Sequence, residues 1–156
     1  MTEMFADLEK DFLRIMSEVV LCTVTTVSES GKPRSRMLHP LWEVVDGKPI
    51  GWVFTMPSPV KAKHLAGNPN VAISCMSPTG QLVLAQAVAN WVEDLPSKKH
   101  VYDLFNNTPP PAGVDLSLFL IDGPEHPNFH VLRLDPTMVQ VNTEFPQTFT
   151  PRMARL

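Results

Sequence analysis

The 156 residues carry 13 Lys and Arg against 16 Asp and Glu, a net charge of −3, with 44% hydrophobic and 19% charged residues. That length fits one domain over residues 1–156; the composition is too apolar for a disordered chain, and the acidic balance excludes general attraction to nucleic acid or acidic membranes. The 16 prolines, about twice the usual share, exclude a fold of mostly long helices.

Residues 3–16 place Phe5, Leu8, Phe12, Ile15 and Met16 at spacings of three or four, which predicts an amphipathic helix with Thr2 as its cap. The run VVLCTVTTV then reads as a strand closed by a turn at Ser28, Glu29, Ser30 and Gly31. A second strand is predicted over residues 33–45, where Pro40 marks a bulge or an edge because proline cannot donate to a ladder. The Asp46-Gly47 turn signal leads to a third strand over residues 50–56. There follow a short helix at 59–66, strands at 71–76 and 81–92, a helix at 96–106, and a rigid loop at TPPPAG. Residues 114–121 are ambiguous between helix and strand. Two last strands, 129–134 and 138–142, flank a turn at Asp135-Pro136. About seven short strands and three brief helices, joined mostly by turns, favour a closed antiparallel barrel over a doubly wound parallel sheet.

No apolar stretch reaches the roughly 18 residues of a membrane span. The opening MTEMFADLEK lacks the basic and apolar regions of a signal peptide, so a cytoplasmic location is expected. Cys22 and Cys75 are too few for a disulfide framework or a cysteine zinc site and read as buried free thiols. The five histidines lack a compact metal spacing, and no nucleophile elbow is present.

Charge is concentrated. Residues 32–64 hold six cations against Glu43 and Asp46, a balance of +4, which leaves −7 for the remainder. On a strand Lys32, Arg34 and Arg36 share a face, where solvent or an anion must relieve their repulsion. In FTMPSPVKAKHL, Ser58 suits a helix N-cap and Pro59 the first helical position, so Lys61 falls in the first turn against the helix dipole. A phosphate there resolves the conflict, accepting the hydroxyls of Thr55 and Ser58, backbone N–H groups and the Lys61 charge. Neither a Walker loop nor a G-x-G-x-x-G is present.

These segments, VVLCTVTTVSESGKPRSRMLHPLWE, GWVFTMPSPVKAKHLAGNPNVAIS, VLAQAVANWVED and HPNFHVLRLDPTMVQV, resemble in order and spacing the pyridoxamine 5'-phosphate oxidase-like FMN-binding split barrels. The resemblance spans most of residues 10–142. It implies a mainly β (α+β), six-stranded antiparallel Greek-key split β-barrel with a few short helices, a homodimer, and two FMN sites at the subunit interface. Arg36 matches the family's phosphate arginine, Met37, Leu38 and His39 the residues lining the isoalloxazine ring, and Phe54 and Thr55 the end of the next strand. Lys61 matches the phosphate lysine, and Ser58 stands one position before the family's serine.

The chain departs from the true oxidases at Leu41, where they carry a lysine for the substrate phosphate, and at Val60, often arginine in them. Its TFTPRMARL end has no clear counterpart of their C-terminal segment, although Arg152 and Arg155 offer cations there. Vitamin B6 oxidation is therefore disfavoured. The implied activity is a flavin-dependent oxidoreductase with hydride transfer at flavin N5 to or from a small organic substrate, His39 being the candidate catalytic group. An F420-dependent reductase, with Lys32 and Arg34 meeting the cofactor's anionic tail, and a non-catalytic flavin or heme carrier are the alternatives. Trp42, Trp52 and Trp91 read first as core or interface residues; Trp42 or Trp91 stacking near a flavin is the alternative.

Overall fold

In the computed structural model, which describes residues 2–156, the first apolar stripe forms helix α1 (Phe5–Glu18) with Phe5, Leu8, Phe12, Ile15 and Met16 all buried. Its cap is Met4, whose N–H donates to Asp7 Oδ2 at 3.2 Å. Thr2 is drawn instead into β1 (Thr2–Glu3), paired in parallel with β9 (Arg152–Arg155). Arg152, open to a ligand role by sequence, is committed to this junction: its guanidinium bonds both Glu3 oxygens, Asp11 and the Asp7 carbonyl. That partnership is also what holds the Glu3 carboxyl below the usual carboxylate range.

The other strands are β2 (Cys22–Val27), β3 (Pro33–Leu38), β4 (Pro40–Val45), β5 (Lys48–Phe54), β6 (Asn70–Met76), β7 (Leu82–Val92) and β8 (Val131–Asn142). Helix α2 (Pro59–Gly67) follows β5 and α3 (Leu95–Asn107) follows β7. Residues 114–121 hold only a short 3-10 turn, Leu116–Leu118. Hydrogen-bonded neighbours run β4-β5-β8-β7-β6-β2-β3, all antiparallel.

The strand predicted over 33–45 divides at His39: β3 pairs with β2 and β4 with β5. The two ends of the sheet are therefore joined by the chain and not by a ladder. With β3 and β4 taken as one bent strand, this is the six-stranded split barrel. It is not the closed barrel that strand counting alone favours, and the β1–β9 pair makes the whole sheet mixed.

A second correction concerns Asp135-Pro136, predicted as a turn between two strands. β8 runs through it: Ala87 faces Pro136 and Gln86 faces Met138, which leaves Thr137 as the extra residue of a bulge. The missing proline N–H fits this irregular position. The bulge lets one strand serve two partners, β5 along its first half and β9 along its second.

Alternation along the strands builds two cores. The barrel interior packs Trp42, Val53, Ile73, Leu132 and Val141 against α1. Trp42 lies over Gly51, where a Cβ would approach the indole to 2.9 Å. Outside β4 and β5, α3 and the following loop bury Leu41, Trp52, Phe105, Leu116 and Phe129. Cys22 and Cys75 are buried as predicted, but they form a disulfide and are not free thiols. Thr23 faces Ser74 across the β2–β6 ladder, so the cysteines fall opposite one another with Cα atoms 4.8 Å apart. Among the described residues no helix is long and apolar enough to cross a membrane.

Candidate functional site

The candidate site gathers Arg36 of β3, Thr55 after β5, Trp91 of β7 and Lys61 of α2. Arg36 pairs with Val24 across the β2–β3 ladder and so shares the inward face of the sheet. Its Nη1 donates to Thr26 Oγ1 at 2.7 Å and to the Arg34 carbonyl at 3.4 Å. Thr55 extends the β5–β8 pairing through its N–H to the His130 carbonyl, which fixes the position of its hydroxyl.

Lys61 is 4% exposed although it lies in the first turn of α2. Its Nζ donates to Thr55 Oγ1 at 2.7 Å and sits 5.8 Å from the Trp91 ring centroid. Burial first, and then the Arg36 charge, holds the Lys61 ammonium below the usual lysine range. Burial, followed by Arg34, likewise lowers Arg36. Among the described residues the salt bridges run through Arg14, Lys98, His100, His130, Arg133 and Arg152, and none through Arg34, Arg36 or Lys61.

Helix α2 adds to this positive field. Ser58 is its N-cap and Pro59 opens it, as predicted, but the Ser58 side chain makes no capping bond and the first turn contains no acid. The N–H groups of Val60 and Lys61 thus lack a side-chain partner, at the positive end of the helix dipole. Two cations, a threonine hydroxyl and a helix N-terminus thus lie together with no carboxylate among them, a candidate cradle for an anion.

The remaining sequence candidates divide. Met37 points to the outer face of the sheet, 56% exposed, and its sulfur accepts from Thr23 Oγ1 at 3.4 Å. Leu38 packs against the barrel core. Phe54 turns toward the second core and meets Phe105 edge-on at 5.0 Å. His39 is half-buried, with Nε2–H donating to the Ala112 carbonyl at 2.7 Å. Burial pushes its imidazole below the usual histidine range, and the Ala112 bond opposes that shift. The structure thus brings together Arg36, Thr55, Lys61 and the Ser58 cap, and sends Met37, Leu38, Phe54 and His39 to other surroundings.

Trp91 borders the cradle, whereas Trp42 belongs to the core, edge-on to Phe12 at 5.3 Å. Leu41, where the true oxidases carry lysine, is 6% exposed in the second core. Sequence reasoning missed Thr26 and His64, whose Nδ1 is 2.9 Å from Thr26 Oγ1. A signal existed for each: Thr26 is a polar residue in the inward register of Cys22 and Val24, and His64 lies three residues beyond Lys61, on the same helix face.

The strand order defines a split-barrel protein, with Arg36, Thr55 and Lys61 clustered between β3, the end of β5 and α2. Residues 8–142 match the pyridoxamine 5'-phosphate oxidase family profile, and the chain belongs to that family. No curated protein sequence matches it. Among solved structures it is similar to General Stress Protein 26 from Bacillus anthracis str. Sterne, with TM-score 0.69 and 19% identity over 96% of this chain and 98% of that one. A pyridoxamine 5'-phosphate oxidase-related, FMN binding protein from Nostoc punctiforme gives 0.59 and 16% over 95% and 84%. A heme binding protein from Mycobacterium smegmatis gives 0.60 and 16% over 90% and 55%.

Proposed function

We propose that this chain binds FMN through its phosphate and acts as a flavin-dependent oxidoreductase on a small organic substrate. The observation that carries the reading is Lys61, an ammonium 4% exposed, beside Arg36 and with no carboxylate partner among the described residues. A dianionic phosphate supplies the missing charge, and the Thr55 hydroxyl and α2 N–H groups supply bonds to its oxygens. Bound flavin supplies hydride acceptance or donation at N5. Arg36 and Lys61 anchor the phosphate, while β3, paired on one side only, offers an open backbone edge beside them. The family's FMN-binding neighbour from Nostoc punctiforme supports this choice of ligand. True pyridoxamine phosphate oxidation remains disfavoured because Leu41 is buried packing and offers no cation to a second phosphate.

A homodimer with the cofactor at its interface belongs to the same reading. Leu21, Met37, Met76, Leu82 and Leu84 line a groove of about 350 Å³ on the outer face of the sheet, with no ionisable side chain among them. Leu21, Met37 and Met76 are each more than half exposed, and a second copy would cover them.

The test is the isolated protein: its visible spectrum, the mass of any small molecule it carries, and titration with FMN. Reduction of the bound flavin by NAD(P)H and reoxidation by an acceptor at catalytic rates supports the enzyme. Tight binding with inertness to every donor supports a flavin carrier instead. Protein that takes up neither FMN nor F420 refutes both flavin readings. F420 is the second reading because Arg34 and Lys32 stand exposed next to Arg36, where a longer anionic tail would run. The Mycobacterium smegmatis neighbour makes heme the third ligand to titrate.

A further inference from the structure

Arg36 is held from behind by a chain of hydrogen bonds that the phosphate assignment does not use. A guanidinium has only N–H donors, so Thr26 Oγ1, 2.7 Å from Arg36 Nη1, accepts from it. Thr26 is 2% exposed, which leaves its own hydroxyl proton without water as a partner. Among the described residues the one other group in hydrogen-bond geometry with that hydroxyl is His64 Nδ1, at 2.9 Å. Pairing every proton therefore makes Nδ1 the acceptor and places the imidazole proton on Nε2.

We propose that His64 is a positioning residue of the anion site, acting through Thr26 to set the orientation of the Arg36 guanidinium. This rests on the phosphate reading above. Both Nη1 protons are engaged within the protein, one by Thr26 and one by the Arg34 carbonyl. Nε and Nη2 are left to a ligand. With the Thr26 proton committed to His64, the lone pairs of Oγ1 stay turned toward Arg36. Without His64 the hydroxyl is free to rotate, and the arginine loses a fixed acceptor. Lys61 and His64 are three residues apart on α2, so one turn of helix carries both the lysine of the cradle and the histidine that steers its arginine.

The test is FMN titration, followed by flavin fluorescence, of wild type, His64→Leu, His64→Asn, Arg36→Gln and the Arg36→Gln/His64→Leu pair. His64→Leu weakens FMN about 3- to 10-fold, the effect of one neutral hydrogen bond. His64→Asn keeps affinity within about 2-fold, because the amide oxygen takes the place of Nδ1. In the Arg36→Gln background His64→Leu adds no further loss. If His64→Leu fails to fold by circular dichroism, Thr26→Val, which removes the hydroxyl and keeps the shape, reads the same chain.

Unchanged affinity in His64→Leu overturns the proposal. So does an equal loss with and without Arg36, since that describes a structural tie between α2 and β2. Wild-type protein that binds neither FMN nor inorganic phosphate overturns the reading of the site itself.

Discussion

Replacing Lys61 by Met separates a ligand-binding lysine from a structural one, because the two roles predict opposite changes. Lys61 is 4% exposed, bonded to Thr55 and stacked over Trp91, with no acid paired to it among the described residues. Burying an ammonium without a counterion costs several kcal/mol, offset in part by a charge-assisted bond of about 1.5–3 kcal/mol. Methionine keeps the length and packs its sulfur on the indole, while Thr55, half-buried, keeps access to water. The ligand-free variant should therefore gain about 1 kcal/mol, or about 2–4 °C in Tm for a chain of this size. FMN affinity should fall by about 1.5–3 kcal/mol, roughly 10- to 150-fold.

The consequence is a crossover. At an FMN concentration 100 times its Kd the wild type gains about 2.7 kcal/mol, whereas the variant at the same concentration gains about 1.4 kcal/mol or less. Lys61→Met should melt above wild type without FMN and below it with FMN. Paired thermal melts and a fluorescence titration measure both quantities. A variant that binds FMN like wild type refutes the phosphate assignment. One that melts lower without ligand and shows no crossover makes Lys61 a structural support.

The depressed Lys61 pKa gives a pH signature. Its folded value lies below its unfolded one, so between the two the unfolded chain holds more protons, and the ligand-free protein gains stability as pH rises through that window. FMN opposes the shift, so affinity should begin to decline on the alkaline side below the ordinary lysine value of about 10.4, and the decline should vanish in Lys61→Met. On the outer sheet face, Met76→Lys should convert a dimer to monomer by light scattering with little change in monomer stability, since Met76 is 62% exposed; a variant that stays dimeric places the interface elsewhere. The Cys22–Cys75 bridge closes 53 residues, a separation that corresponds to about 4 kcal/mol of chain entropy. Unreduced, denatured protein should show no titratable thiol, and reductant should lower the urea midpoint; two free thiols in freshly isolated protein would instead match the sequence expectation for Cys22 and Cys75.

What the sequence made legible follows from where local signals are strong. The α1 stripe, the Asp46-Gly47 turn and the α2 start are short-range patterns, and all three form as predicted; Asp46 and Gly47 both take positive φ. Lys61 was legible because a lysine against a helix dipole conflicts locally without any tertiary knowledge. The misses are nonlocal. Proline marks a break in a ladder but does not say whether the chain turns or bulges, so Pro136 reads as a turn by local pattern although it pairs with Ala87 inside β8. Thr2 read as a cap because β9, its partner, lies some 150 residues away in sequence. The disulfide depended on β2–β6 register, and the Thr26–His64 bond on α2 folding back over β2, neither of which periodicity encodes.

On the proposed reading the ligand lies at the split and not inside the barrel. One residue, His39, separates β3 from β4, too short a link for the two to pair with each other, so the edge of β3 away from β2 stays open. The chain passes directly from one edge to the other through His39 and Pro40, and β3 keeps β2 as its one ladder partner. An open edge invites pairing with any other strand, and charge along it is a standard defence. Arg34 and Arg36 on β3, with Lys32 just before it, provide that charge, while Lys61 and α2 hold the positive field in place. In the flavin reading the same residues serve both states: they repel a second strand from the empty edge and draw in the phosphate of the ligand that covers it. Neutralising Arg34 or Lys32, both exposed, should therefore leave the cradle's geometry intact but make the ligand-free protein more prone to associate through β3, a tendency that FMN suppresses. Association that FMN leaves unchanged would separate the two functions of the charge and refute the link.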